Sequence, residues 1–283
     1  MLPINDGLGT INIPVYVHIV LPNANDVTNS QVQSQINVLN NDFSSTNTNL
    51  LPSGATNFIN DATVTGISFS LAGTFRYNNS TSSWGTNNAV KSAYPPITPQ
   101  THLNIWVCNI GGGILGYAQF PGGNLNTDGV VLLYSSLPGG SAAPYNLGRT
   151  ATHEVGHYLN LRHIWGDANC GNDFCNDTPQ SQTSNGGCPT QTTCDGIQDM
   201  VQNYMDYSSC IHMFTPGQVT VMHNTLNGIA GQRDNLWNDT TLVETGIKDL
   251  VLPQSPSNLL SLSAGTFHLR PLSQYPVRRL NAT

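Results

Sequence analysis

The stretch His153-Glu154-Val155-Gly156-His157-Tyr158-Leu159-Asn160-Leu161-Arg162-His163 implies a helix, a turn and a cluster of imidazoles. Residues four apart on a helix share a face, so His153 and His157 can reach the same ion with Glu154 beside them. Imidazole is a common zinc ligand, and three protein ligands leave a fourth position for water. Zinc lowers the pKa of that water to about 7, where a carboxylate can take its proton at neutral pH. A straight helix would carry residue 163 away from this face, so the helix must stop and the chain must turn. The turn position is Asn160, and asparagine is the non-glycine residue that best tolerates left-handed backbone. The spacing therefore predicts zinc held by His153, His157 and His163, with Glu154 as general base. Coincidence is a poor alternative: with eight histidines and only Glu154 and Glu244 as glutamates, a shuffled chain yields roughly 0.002 such His-Glu-x-x-His matches.

Upstream of this helix, which begins near Arg149, short apolar runs alternate with polar breaks. Ile11 to Val20 is alternating and β-branched, a strand. Between Ser30 and Phe43, Val32, Ile36, Leu39 and Phe43 recur at helical steps and give one buried face. Ile67, Phe69 and Leu71 form a second strand and Leu103 to Ile110 a third, ending at Gly111-Gly112-Gly113; Gly116 to Phe120 and Gly129 to Tyr134 add two more. This order predicts an α+β fold, a mixed sheet with helices packed on it. Downstream, Cys170 to Cys210 loses periodicity and reads as loops that disulfides must hold. Thr215, Pro216 and Gln218 then match an N-cap, a first-turn proline and a capping-box partner, with Val219, Met222 and Leu226 as the apolar face. After about residue 245, Lys248, Arg270, Arg278 and Arg279 sit among Ser, Pro and Leu, a tail outside the catalytic fold.

Composition narrows the function classes. The chain has 283 residues and 38% hydrophobic content, enough for a sizeable core. Charged residues are 9%, against roughly 25% in ordinary soluble domains. With nine Lys and Arg and a net charge of -7, no basic stripe is available for phosphates, and nucleic acid is excluded as a partner. No run approaches the roughly 18 apolar residues of a membrane span. Five of six cysteines lie between Cys170 and Cys210, which suits cross-links in an oxidising compartment, while the C-x-x-C spacing of a cysteine zinc site is absent. Secretion is therefore expected. Met1 to Thr10 lacks a basic start followed by an apolar stretch, so an export signal and a pro-segment are expected to precede this sequence. His18, His102, His212, His223 and His268 have no ligand spacing and read as buried, hydrogen-bonded histidines.

From about residue 11 to 240 the sequence resembles the metzincin clan of metallopeptidases and, within it, the pappalysin family of ulilysin-like enzymes. Thr150 to His157 resembles the active-site helix, Asn203-Tyr204-Met205-Asp206-Tyr207 the Met-turn, and Phe214 to Gln218 the start of the C-terminal helix. The resemblance implies a metzincin-type catalytic domain over 1–245, with an N-terminal subdomain of about 11–163 and a loop-rich, disulfide-stapled one of about 164–245, followed by a tail at 246–283. It implies Met205 as the floor beneath the zinc, Tyr207 as a catalytic side chain near the metal, and disulfides Cys170–Cys194 and Cys188–Cys210. Cys108 and Cys175 are left over, to pair or stay free. It further implies a structural calcium, for which Asp173, Asp177 and Thr178 offer hard oxygen ligands. The activity implied is endopeptidase cleavage of extracellular proteins or peptides laid along Gly116 to Phe120; the alternative is a catalytically silent binding or adhesion protein on the same fold. One departure stands out. Tyr207-Ser208-Ser209-Cys210 is short and uncharged where typical relatives carry paired aspartates, which leaves open the preference for Arg or Lys after the scissile bond known in some relatives.

Overall fold

The computed structural model describes residues 11–47 and 58–237. Contacts divide the chain into a unit ending at Asp249 and one beginning at Leu250, and every described residue belongs to the first. The tail expected at 246–283, and with it His268, lies outside the described residues.

Strand β1 (Ile11–Leu21) leads into helix α1 (Asn29–Phe43) and strand β2 (Ile67–Asn78). A short α2 (Ala89–Ala93) precedes β3 (Leu103–Cys108), β4 (Gly116–Ala118) and β5 (Val130–Leu133), then α3 (Arg149–Tyr158) and α4 (Pro216–Asn227). The sheet order is β2-β1-β3-β5-β4, parallel except for β4, which runs antiparallel to β5 at the edge. β1 and β3 are central and buried almost throughout, as strands covered on both faces must be. Pro14 interrupts neither neighbour: pairing with β3 begins only at Val15, and the register with β2 shifts just after it.

One face of the sheet packs Ile13, Val15 and Ile105 against Val32, Ile36 and Leu39 of α1 and Ala151 and Val155 of α3. The other face closes over Trp106, Val131 and Cys108, with Tyr77, Tyr94 and Tyr117 around them. The two helices are tied by polar contacts as well: Thr152 Oγ1 donates to Asp42 at 2.6 Å, and Gln35 Nε2 donates to the carbonyl of Gly148 at 2.8 Å. These contacts position α3 beneath the edge strand β4.

Element extents differ from the sequence reading for identifiable reasons. α1 starts at Asn29, capped by Thr28 in a reciprocal capping box with Gln31. β2 continues to Asn78 because an edge strand tolerates the polar Thr74 and Arg76. β3 stops at Cys108, and Ile110 makes a lone bridge to Trp84 instead. β4 stops at Ala118 rather than Phe120, and β5 spans Val130 to Leu133 only. His18, His102 and His212 are buried, whereas His223 is only half-buried, donating through Nε2 to the Thr65 carbonyl, 2.6 Å away.

Past α3, the loops are held by disulfides Cys170–Cys194 and Cys188–Cys210, the pairs the resemblance implies, while Cys108 and Cys175 are buried free thiols. Burial pushes both thiols up to about 12. Thr215 caps α4 by accepting from the Gln218 amide at 3.2 Å, and Gln218 returns the contact to the Thr215 amide at 3.0 Å. Thr215 Oγ1 also donates to Asp177 at 2.8 Å, so Thr215→Ala is expected to cost about 1–2 kcal/mol in urea unfolding.

Candidate metal centre

His153 and His157 sit one turn apart on α3, every residue of which is buried except Thr150. The helix ends in a Schellman turn: the Leu161 amide bonds the Gly156 carbonyl at 2.9 Å, and the Asn160 amide bonds that of His157 at 2.9 Å. Asn160 holds φ at +78°, the left-handed conformation the spacing requires. The reversal brings His163 back to the helix. His157 Nε2 lies 3.1 Å from His153 Nε2 and 3.1 Å from His163 Nε2.

The other ring nitrogens are all engaged. His153 Nδ1 donates to the Tyr204 carbonyl at 2.7 Å, His157 Nδ1 to the Leu161 carbonyl at 2.8 Å, and His163 Nδ1 to Asp167 at 2.5 Å. Those acceptors place the proton on each Nδ1, which leaves an Nε2 lone pair on every ring. Three lone pairs then face one another at close range. Burial, with the neighbouring rings adding to it, lowers the pKa of His153 well below its usual value and that of His157 to about 4; burial also lowers His163. Neutral imidazoles crowded lone pair to lone pair repel unless a cation sits between them, so this donor set fits a zinc ion. Among the described residues this is the one group of three or more His, Cys, Asp or Glu side chains with ligand atoms within 4.8 Å of one another.

Glu154 is buried beside the triad, and burial raises its pKa to about 8 against the opposing pull of Lys91. A divalent cation at the triad would favour its charged form. Its side chain runs under Gly116 of β4, where an added Cβ would lie 2.8 Å from Glu154 Cγ. On the opposite side Met205 is wholly buried against Gly156, where any Cβ would collide with its sulfur. Tyr207 is 48% exposed, its ring 5.4 Å from that of His153 and 5.0 Å from that of His163. The Trp165 ring stacks on His163 at 4.2 Å.

The sequence reading missed Asp167, the partner of His163, although an acidic residue four positions beyond a ligand histidine was a usable signal. It also missed Trp165 and the carbonyls of Tyr204 and Leu161. Of the residues named for calcium, Asp173 and Thr178 bond each other at 2.8 Å. Asp177 instead accepts from Thr215 and from the Gly217 amide at 2.6 Å, at the start of α4.

A mixed sheet, a helix carrying two of three clustered imidazoles and a methionine packed against that helix at Gly156 define a metalloendopeptidase of the metzincin type. Residues 98–227 match the peptidase family described as pregnancy-associated plasma protein-A, and the chain belongs to this family, the pappalysins. An extracellular metalloprotease of Arthroderma benhamiae is 35% identical over 237 residues, covering 77% of this chain and 73% of that protein. One of Sordaria macrospora is 35% identical over 234 residues, covering 77% and 75%. Among solved structures, mature mirolysin of Tannerella forsythia in complex with a cleaved peptide is similar with a TM-score of 0.73 and 38% identity, covering 81% of this chain and 96% of that one.

Because Asp167 accepts the Nδ1 hydrogen bond of His163, Asp167→Ala is expected to weaken zinc binding by about 10–100-fold in competition with a chromophoric chelator.

Proposed function

We propose that this protein is a secreted zinc endopeptidase in which His153, His157 and His163 hold the metal and Glu154 moves the proton. The observation that carries this reading is the spending of all three Nδ1 protons on protein acceptors while three Nε2 atoms converge beside a buried carboxylate. When bound, zinc supplies a Lewis acid that polarises a carbonyl and makes water nucleophilic at neutral pH.

The chain's own groups do the rest. The edge of β4, which pairs with no further strand among the described residues, offers main-chain donors and acceptors to an extended peptide, placing a scissile bond above Glu154. The Glu154 carboxylate takes a proton from the attacking water and delivers it to the leaving nitrogen. Burial, with Glu154 adding to it, raises the Tyr207 pKa, so its phenol stays protonated and can donate to the developing oxyanion. Met205 packs against the helix at Gly156, and Trp165 stacks on the His163 ring.

Substrates are proteins or peptides, as for the mirolysin that carries a cleaved peptide. Secretion is supported by the two disulfides and by relatives named extracellular metalloproteases. The catalytic domain divides at the cleft, with about 11–163 supplying the sheet and α3, and about 164–245 supplying the Met-turn. A structural calcium at Asp173, Asp177 and Thr178 belongs to the same reading. Adding calcium to chelated, zinc-reloaded protein should raise the melting temperature, and an unchanged value would remove that ion.

Glu154→Ala should retain stoichiometric zinc and the native fold while losing about 10²–10⁴-fold in peptide turnover. Near-normal turnover would overturn the role of Glu154, and a folded, zinc-loaded protein that cleaves no peptide would overturn the whole reading.

A further inference from the structure

Tyr207 can donate to an oxyanion only if its hydroxyl stands within hydrogen-bonding distance of one point, and a displacement of about 1 Å there costs on the order of a hundredfold in rate. Its side chain is about half exposed, so burial does not hold it. Its ring meets Trp165 and His163, each at 5.0 Å between centroids, and the rest of its placement comes from the main chain. The Tyr207 amide donates to Asp206 Oδ1 at 2.8 Å, and that carboxylate accepts in turn from the Asn185 amide at 2.9 Å and from Asn185 Nδ2 at 2.7 Å. The Tyr207 carbonyl is reached from ahead of α3. The Tyr145 hydroxyl donates to it at 3.1 Å, across 62 positions of sequence.

Tyr145 is presented by a loop that closes on itself. The Gly139 amide donates to the Asn146 carbonyl at 3.1 Å, Asn146 Nδ2 to the Gly140 carbonyl at 2.7 Å, and the Tyr145 amide to the Ala142 carbonyl at 2.7 Å. The loop is so tight that an added Cβ on Gly140 would collide with the Ser135 carbonyl. Gly148 then leads into Arg149 and α3, with Gln35 of α1 bonded to the Gly148 carbonyl at 2.8 Å. This loop is therefore fastened to the helix that carries His153, Glu154 and His157. Tyr145 and Tyr207 both line a cavity of about 330 Å³ that Glu154 and Arg149 also line, and their contact ties its two sides together.

We propose that Tyr145 is a positioning residue whose hydroxyl holds the Tyr207 main chain so that the Tyr207 phenol meets the developing oxyanion. This rests on the peptidase reading above and on the role given there to Tyr207. Tyr145 acts through the Tyr207 carbonyl and touches no reacting atom. Without its hydroxyl, Tyr207 keeps its neighbours but loses its register against Glu154, so the loss falls on the transition state and not on substrate binding.

The test compares zinc-loaded full-length protein with its Tyr145→Phe, Tyr207→Phe and double variants on one internally quenched peptide. Tyr207→Phe is expected to lower kcat by about a hundredfold. Tyr145→Phe should lower it by about 3–10-fold, with KM within about twofold and zinc stoichiometric. The double variant should match Tyr207→Phe within about twofold, because Tyr145 then has no phenol to position. A readout independent of turnover is the fluorine NMR signal of Tyr207 in protein labelled with 3-fluorotyrosine, assigned by its loss in Tyr207→Phe. That signal should shift or broaden in Tyr145→Phe. Full kcat in Tyr145→Phe, an equal loss in both backgrounds, or an unmoved Tyr207 signal would overturn this proposal and leave the peptidase reading standing. Full kcat in Tyr207→Phe would remove both tyrosines from the mechanism while zinc and Glu154 keep their roles. Failure of the unsubstituted protein to cut any peptide would overturn the peptidase reading as well.

Discussion

Each imidazole of the triad donates its Nδ1 hydrogen bond to an acceptor fixed by the fold, and the convergence of the three Nε2 lone pairs follows from that. Two of the acceptors are backbone carbonyls, of Tyr204 in the Met-turn and of Leu161 just past the helix, and the third is Asp167. The ring orientations therefore depend on where the main chain runs after α3. That path is set by one left-handed residue, Asn160, and by the paired hydrogen bonds that close the helix. Were Asn160 to adopt ordinary helical angles, Leu161 would not present its carbonyl to His157, and His163 would leave the site.

The rest of the domain keeps this arrangement still and dry. α3 lies between a sheet buried on both faces and the loops of the second half, and the closest approaches occur where side chains are missing. Gly156 admits the sulfur of Met205 beneath the helix, and Gly116 admits Glu154 beneath the edge strand. The cysteine-rich segment has little core of its own. Two cross-links and hydrogen bonds such as those of Asp177 to the start of α4 hold it there instead. Asp42 and Arg149, 3.6 Å apart and both buried, pair α1 with the start of α3.

Much of this was legible in the residues. The ligand spacing, the turn at Asn160, the face of α1 and the cap of α4 all follow from local rules of helix geometry, and each has a residue type that marks it. The disulfide pairs were legible only through family resemblance, since cysteine order alone permits many pairings. What the sequence hid was of two kinds. Carbonyl acceptors such as those of Tyr204 and Leu161 belong to every residue alike and leave no trace in composition. Long-range partners such as Asp42 with Arg149 and Asp128 with Arg233 are more than a hundred positions apart, and nothing local announces them. Arg149 was legible as the first residue of a helix but not as the wall of a cavity.

X-ray absorption at the zinc edge of the reconstituted protein addresses the convergence of the three rings directly. Three imidazole nitrogens at about 2.0–2.1 Å with no sulfur in the coordination sphere is the outcome the hydrogen-bonding of His153, His157 and His163 demands. A sphere with fewer than three imidazoles, or one containing a thiolate from Cys108 or Cys175, would contradict it.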